Sequence, residues 1–156
     1  MEVVEGENNV PCESKDGCLD VVPKRLVGAP LRILLVDDFA PFRESIRQLF
    51  NGYDALMVVG EASDGYSAIE MALRLIPHVI IMDVKMPRMT GIEATRRIKR
   101  ALPAVHVVGV SSQEETLIKE AMQAAGSSAF VTKECAHTLP TVISKLTNRE
   151  MDIRIF

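Results

Sequence analysis

The sequence predicts an α/β domain, a doubly wound, five-stranded parallel sheet of (βα)5 pattern. Three observations carry that prediction. Five short apolar runs follow one another from Leu31 onward, rich in Val, Ile and Leu and with little alternation, as strands buried on both faces require. Amphipathic stretches with helical spacing lie between the runs. The connections are short, so each strand–helix unit returns to the same sheet in parallel.

The elements follow in order. Leu31–Val36 is the first run, and Phe42, Ile46, Leu49 and Phe50 then mark one face of a helix. Ala55–Gly60 is the second run; Ser63 or Asp64 caps the next helix. That helix repeats Ile69, Ala72, Leu73 and Ile76 and must end at Pro77. Val79–Met82 is the third run, and Gly91 opens the third helix. Val105–Val110 is the fourth, with Gly126 placed as the C-terminal cap of the helix after it. Ala129–Thr132 is the fifth, followed by a last helix on Leu139, Val142, Ile143 and Leu146.

At 156 residues the chain suits one ordinary domain. Residues 1–29 stand apart: six acids face three bases there, a charge of −3 that equals the whole chain's. With Pro11, Gly17, Pro23 and Gly28 breaking any periodicity, this segment reads as a flexible acidic tail, the alternative being a segment docked on the domain through Val21, Val22, Leu26 and Val27. The domain is then expected over residues 30–147, with a short C-terminal tail over 148–156. No overall basic field points to nucleic acid. No apolar run approaches the about 18 residues of a membrane span, and the N-terminus lacks the pattern of a secretory signal. Cys12, Cys18 and Cys135 are an odd count in zinc-unlike spacing, which fits reduced thiols in a cytoplasmic protein. His78 and His106 begin strands, at the edge away from the acids, and His137 falls early in the last helix.

The chemistry stands at the other ends of the runs. The first ends in Asp37-Asp38, the third in Asp83, the fourth in Ser111-Ser112 and the fifth in Thr132-Lys133. In a parallel sheet these are C-terminal strand ends along one edge, the edge where open α/β sheets bind ligands. Three crowded carboxylates need a cation between them. An all-oxygen set suits Mg²⁺, with Mn²⁺ as a substitute. A divalent cation, a lysine and a hydroxyl are the groups that phosphoryl transfer uses, and a carboxylate can be its nucleophile. Asp83 is the natural nucleophile, because it stands alone before a loop.

Three segments and one further position resemble the receiver domains of two-component response regulators. The segments are Leu34-Leu35-Val36-Asp37-Asp38 and the stretch from Ile80 through Asp83-Val84-Lys85-Met86-Pro87 to Gly91, then Val110-Ser111; Lys133 completes the set. The stretch Met86 to Ile98, with Gly91-Ile92-Glu93-Ala94-Thr95-Arg96-Arg97-Ile98, is similar to the subgroup that carries LuxR-type helix-turn-helix outputs. The resemblance implies a flavodoxin-like sheet of order 2-1-3-4-5. It implies that Asp83 is the phosphoacceptor, with Mg²⁺ ligated by Asp38, Asp83 and the backbone carbonyl of Lys85, and by Asp37 through water. Lys133 would pair with the phosphoryl group or, before it arrives, with Asp83. Ser111 and Phe130 would be the switch pair, and the fourth helix, fifth strand and fifth helix the output face. A histidine kinase or phosphotransfer protein would be the donor, with slow self-dephosphorylation and a possible homodimer.

Some departures from the family pattern are visible. Glu134 follows Lys133 where proline is common, so a cis peptide is not expected there. Lys85 places a basic side chain two residues past Asp83, where it could screen an acyl phosphate from water. No helix-turn-helix follows the last helix, although Leu146 to Glu150 resembles the start of such a domain, so the chain itself is not expected to bind DNA. Two other readings compete. One is a degenerate receiver acting as a protein-interaction module without phosphorylation. The other is a phosphohydrolase or related enzyme; the adjacent acids and the absence of a G-x-G-x-x-G or P-loop speak against it.

Overall fold

The structure, a computed structural model, describes residues 28–113 and 115–152. The acidic tail expected over residues 1–29 therefore lies, but for its last two residues, outside the described residues. So do Cys12, Cys18 and residues 153–156.

Strands β1 (Leu31–Val36), β2 (Leu56–Ala62), β3 (Val79–Asp83), β4 (His106–Ser111) and β5 (Ala129–Thr132) form one parallel sheet of order β2-β1-β3-β4-β5. Helices α1 (Ala40–Asn51), α2 (Gly65–Leu75), α3 (Gly91–Ala101), α4 (Thr116–Ala125) and α5 (Leu139–Thr147) connect and flank it, with a 3₁₀ segment over Lys133–Thr138. The expected fold and strand order are both present.

Each strand feeds two cores, which is why its sequence does not alternate. Leu34 and Val36 of β1 pack with Ile80, Met82, Val107 and the inner faces of α2, α3 and α4, among them Ala68, Ala72, Ala94, Ile98 and Met122. Leu31, Ile33 and Leu35 point the other way, joining Ile81, Val108 and Val110 under Ile46 and Phe50 of α1 and Leu139 and Ile143 of α5. Most of these side chains are wholly excluded from water. Burying one such side chain is worth about 1.5–3 kcal/mol.

Three strands shift from their expected ranges, β3 only by taking in Asp83 one residue past Met82. β2 runs two residues past Gly60, because Glu61 and Ala62 pair with Leu35 and Val36 after a bulge at Ile33/Leu34. A charged residue in a strand hides that continuation in the sequence; here Glu61 is ion-paired with both Arg43 and Arg47 of α1. β4 lies one residue later than expected, so Ser111 is part of the strand and pairs with Thr132. His137 falls in the 3₁₀ segment, before α5 rather than in it. His78 and His106 do stand at the edge opposite the acids; His78 Nδ1 accepts from the Arg32 amide at 2.9 Å.

Helix ends follow local chemistry. Asp64 caps α2 by accepting from the Ser67 amide at 2.9 Å, and Gly126 ends α4 at φ +111°. Thr90 caps α3, accepting from the Glu93 amide at 3.3 Å. Beyond α5, the Arg149 guanidinium donates to Ala29 O and Met151 packs on the α1/α5 core. Asp64 also accepts from Arg88 at 2.7 Å, clipping the β3–α3 loop to α2. The Ser67 amide, with Arg88 assisting, holds the Asp64 carboxyl below its usual range. That contribution is present above the ordinary carboxylate pKa and is lost as pH falls below it. Asp64→Ala should cost about 1–2 kcal/mol, mostly the cap with a small term for the exposed ion pair. Urea denaturation at neutral pH measures it, and the deficit should shrink in strong acid.

Candidate functional site

The C-terminal sheet edge gathers the predicted residues. β1 delivers Asp37 and Asp38, and β3 ends on Asp83. A carboxylate oxygen from each lies within 4.8 Å of the other two. Asp37 is 2% exposed and Asp83 3%, while Asp38 faces solvent. Lys133, first residue after β5, places Nζ 2.6 Å from Asp37 Oδ2 and 3.6 Å from Asp83 Oδ1. The resemblance puts it against Asp83; the closer partner is Asp37.

The turns are built to hold these groups. Asp37 Oδ1 accepts from the Phe39 amide at 2.8 Å, closing the β1–α1 turn. Arg43 Nη1 donates to Asp37 O at 2.5 Å while its Nε meets Glu61 Oε1 at 3.2 Å. On the other side, the Gly91 amide donates to Val84 O at 2.9 Å and seats α3 directly against the end of β3. A Cβ at Gly91 would fall 2.0 Å from Asp83 O.

Electrostatics mark Asp83. Burial first, then the neighbouring Asp37 charge, push its carboxyl up to about 7 against the pull of Lys133. Among the described residues a single ammonium faces three carboxylates, two of them buried, so the pocket is short of positive charge. An all-oxygen donor set with that deficit fits a hard divalent cation such as Mg²⁺ better than a soft one.

The remaining predicted residues surround this centre. Ser111 is 1% exposed, one position beyond Val110, the β4 partner of Asp83. Its Oγ accepts from the Gln113 amide at 3.3 Å. Phe130 is half-buried on β5 against the α2–α4 core. Lys85 is exposed; its Nζ donates to Gln113 at 2.9 Å and lies 4.0 Å from Glu115, so it spans to the β4–α4 loop. Three site neighbours were not singled out from sequence: Phe42, Arg43 and the close approach at Gly91. Helical spacing makes Phe42 a core position of α1, yet its ring centroid lies 4.6 Å from Lys133 Nζ.

Fold and site together describe a signalling module of the receiver type. The chain belongs to the response regulator receiver domain family, whose profile matches residues 33–144. Response regulator GacA of Pseudomonas viridiflava is 39% identical over 103 residues, covering 66% of this chain and 48% of that protein. Protein-glutamate methylesterase/protein-glutamine glutaminase 4 of Myxococcus xanthus is 45% identical over 106 residues, covering 67% of this chain and 30% of that one. A LuxR-family two-component response regulator of Aurantimonas sp. superposes with a TM-score of 0.71 at 30% identity, over 78% of this chain and 88% of that one. The chain thus spans half or less of the length of these curated relatives. No helix among the described residues is long and apolar enough to cross a membrane.

Proposed function

We propose that this chain accepts a phosphoryl group on Asp83 from a histidine kinase or phosphotransfer protein, in a Mg²⁺-dependent reaction in the cytoplasm. The observation that carries the reading is the buried Asp83 carboxylate, held within 4.8 Å of two further acids and 3.6 Å from the Lys133 ammonium. Asp38, Asp83 and the Lys85 carbonyl would hold the cation directly, and Asp37 through water. Bound there, the cation supplies charge that favours the ionised acid and screens the phosphoryl oxygens.

The protein's own groups do the rest. An Asp83 oxygen forms the bond to phosphorus as the donor's bond breaks, its electron pair leaving with imidazole or acetate. Lys133 neutralises equatorial oxygen charge. Ser111 would turn its hydroxyl to a phosphoryl oxygen, and Phe130 would follow into the space vacated, carrying the change to α4, β5 and α5. On that face Leu117 is 78% exposed, available to a downstream protein or a second copy. Hydrolysis by water returns the resting state slowly, so the chain is a switch rather than a turnover enzyme.

The test is intact mass after incubation with acetyl phosphate. Wild type should gain a single phosphoryl group only with Mg²⁺, and Asp83→Asn should gain none. No gain in folded wild type would mean an unphosphorylated interaction module.

Lys85 adds a prediction. Its bridge to Gln113 links the β3–α3 and β4–α4 loops, and there it would screen an acyl phosphate on Asp83 from water. Lys85→Ala should shorten the phospho-lifetime about two- to fivefold, the scale of an exposed polar contact. An unchanged lifetime after donor removal would sink that idea.

A further inference from the structure

Lys133 has a third neighbour besides its two carboxylates. The Phe42 ring lies 4.6 Å from Nζ to its centroid, inside the ~6 Å within which a ring's negative face attracts a cation. Phe42 is half-buried in the first turn of α1 and packs on the α1/α5 core. Through the adjacent Arg43, whose Nη1 donates to Asp37 O, that turn is tied to the acid-bearing end of β1. Ring and carboxylates are therefore parts of one fixed frame. Lys133 reaches into it from β5 on a flexible stem, whose rotamer freedom opposes any single position.

The carboxylates hold the ammonium by charge. That hold weakens once a bound divalent cation neutralises them, which is the state in which phosphoryl transfer occurs. The ring's attraction comes from its quadrupole and is not neutralised with the acids. Only 20% of the Lys133 side chain is exposed, so water screens the contact incompletely. We propose that Phe42 is a positioning residue for Lys133: its aromatic face keeps the ammonium at the site after the carboxylates are neutralised, where it meets the incoming phosphoryl group. The role rests on the reading of Asp83 as phosphoacceptor. It adds no chemical step; Asp83 still forms the bond to phosphorus, and Lys133 keeps its proton throughout.

A ring that merely fills space makes a different prediction, and graded fluorination separates the two. Fluorine drains the ring's negative face with little change in volume. The full-length chain would carry mono-, di- and trifluorophenylalanine at position 42, and phosphorylation by acetyl phosphate would be timed by intact mass at saturating Mg²⁺. The rate should fall in steps with each fluorine. Phe42→Leu should slow it about three- to tenfold, while Phe42→Tyr, which keeps the face, stays near wild type. Half-saturating Mg²⁺ should be unchanged. Independently of phosphorylation, the ε protons of Lys133 should resonate upfield of free lysine through the ring current, and Phe42→Leu should abolish that shift.

A flat fluorine series in a wild type that is phosphorylated overturns this role alone. Lys133 ε protons at free-lysine positions overturn it at the level of geometry. A wild-type chain that gains no phosphoryl group overturns the acceptor reading, and this role with it. If Phe42→Leu fails to fold, the fluorinated series still decides.

Discussion

Gly91→Ala will cost about 3 kcal/mol or prevent folding, although local helix propensity favours alanine by about 1 kcal/mol. The opposite signs make the outcome decisive. Gly91 is the first residue of α3, and a Cβ there would lie 2.0 Å from Asp83 O, 2.9 Å from Asp83 C and 3.0 Å from Met82 Cγ. Two of those atoms are main chain in the central strand, which cannot swing aside as a side chain does. Relief requires α3 to lift from β3, which breaks the bond from the Gly91 amide to Val84 O and tilts the peptide that aims Asp83. Overpacking into backbone sits at or above the top of the about 1–3 kcal/mol range of such changes. Gly109→Ala is the control. Its Cβ would lie 2.8 Å from the end of Met122, a flexible side chain, and 3.1 Å from Phe130. That variant should lose only about 1 kcal/mol. Urea denaturation of both, against wild type, reads the difference; an unchanged or raised midpoint for Gly91→Ala would refute the steric argument.

The contrast between these glycines shows what the sequence can and cannot carry. The strands are legible because each is covered on both faces, so Leu31–Val36 and Val79–Asp83 read as unbroken apolar runs. The carboxylates are legible because a parallel sheet sends every strand's last residue to the same edge, which turns positions 37, 38, 83, 111 and 133 into neighbours without any pairwise information. Register is another matter. Glu61 extends β2 only because Arg43 and Arg47 neutralise it, and that compensation comes from another element. Phe42 sits at helical spacing with Ile46, Leu49 and Phe50, so periodicity can report only that it faces inward. That it faces Lys133 depends on the angle at which α1 crosses the sheet. The lysine's preference for Asp37 over Asp83 likewise depends on an ångström of stem placement. What pattern encodes is which edge and which face; what it leaves open is who touches whom there.

Asp83→Asn should stabilise the metal-free protein by an amount that grows with pH. Burial and the Asp37 charge raise the Asp83 carboxyl from 3.8 to about 7 in the folded chain. Between those values the folded state binds more protons than the unfolded state, so stability falls as pH rises through that window. At 1.36 kcal/mol per unit the full shift corresponds to about 4 kcal/mol, and relaxation around coupled acids reduces the expectation to about 2 kcal/mol. Asparagine keeps the shape and never ionises. Its advantage over wild type should therefore be small at about pH 4, rise through neutrality and level off above about pH 7. Saturating Mg²⁺ should narrow the gap from the other side, because binding at about 100 Kd stabilises wild type by about 2.7 kcal/mol. Thermal or urea unfolding across that pH range, with and without the cation, gives both curves. A gap that is constant with pH would show that Asp83 carries no buried charge at rest. A gap that widens with pH and closes with Mg²⁺ would show the same strain that makes the site unstable alone being relieved by the cation its carboxylates are arranged to hold.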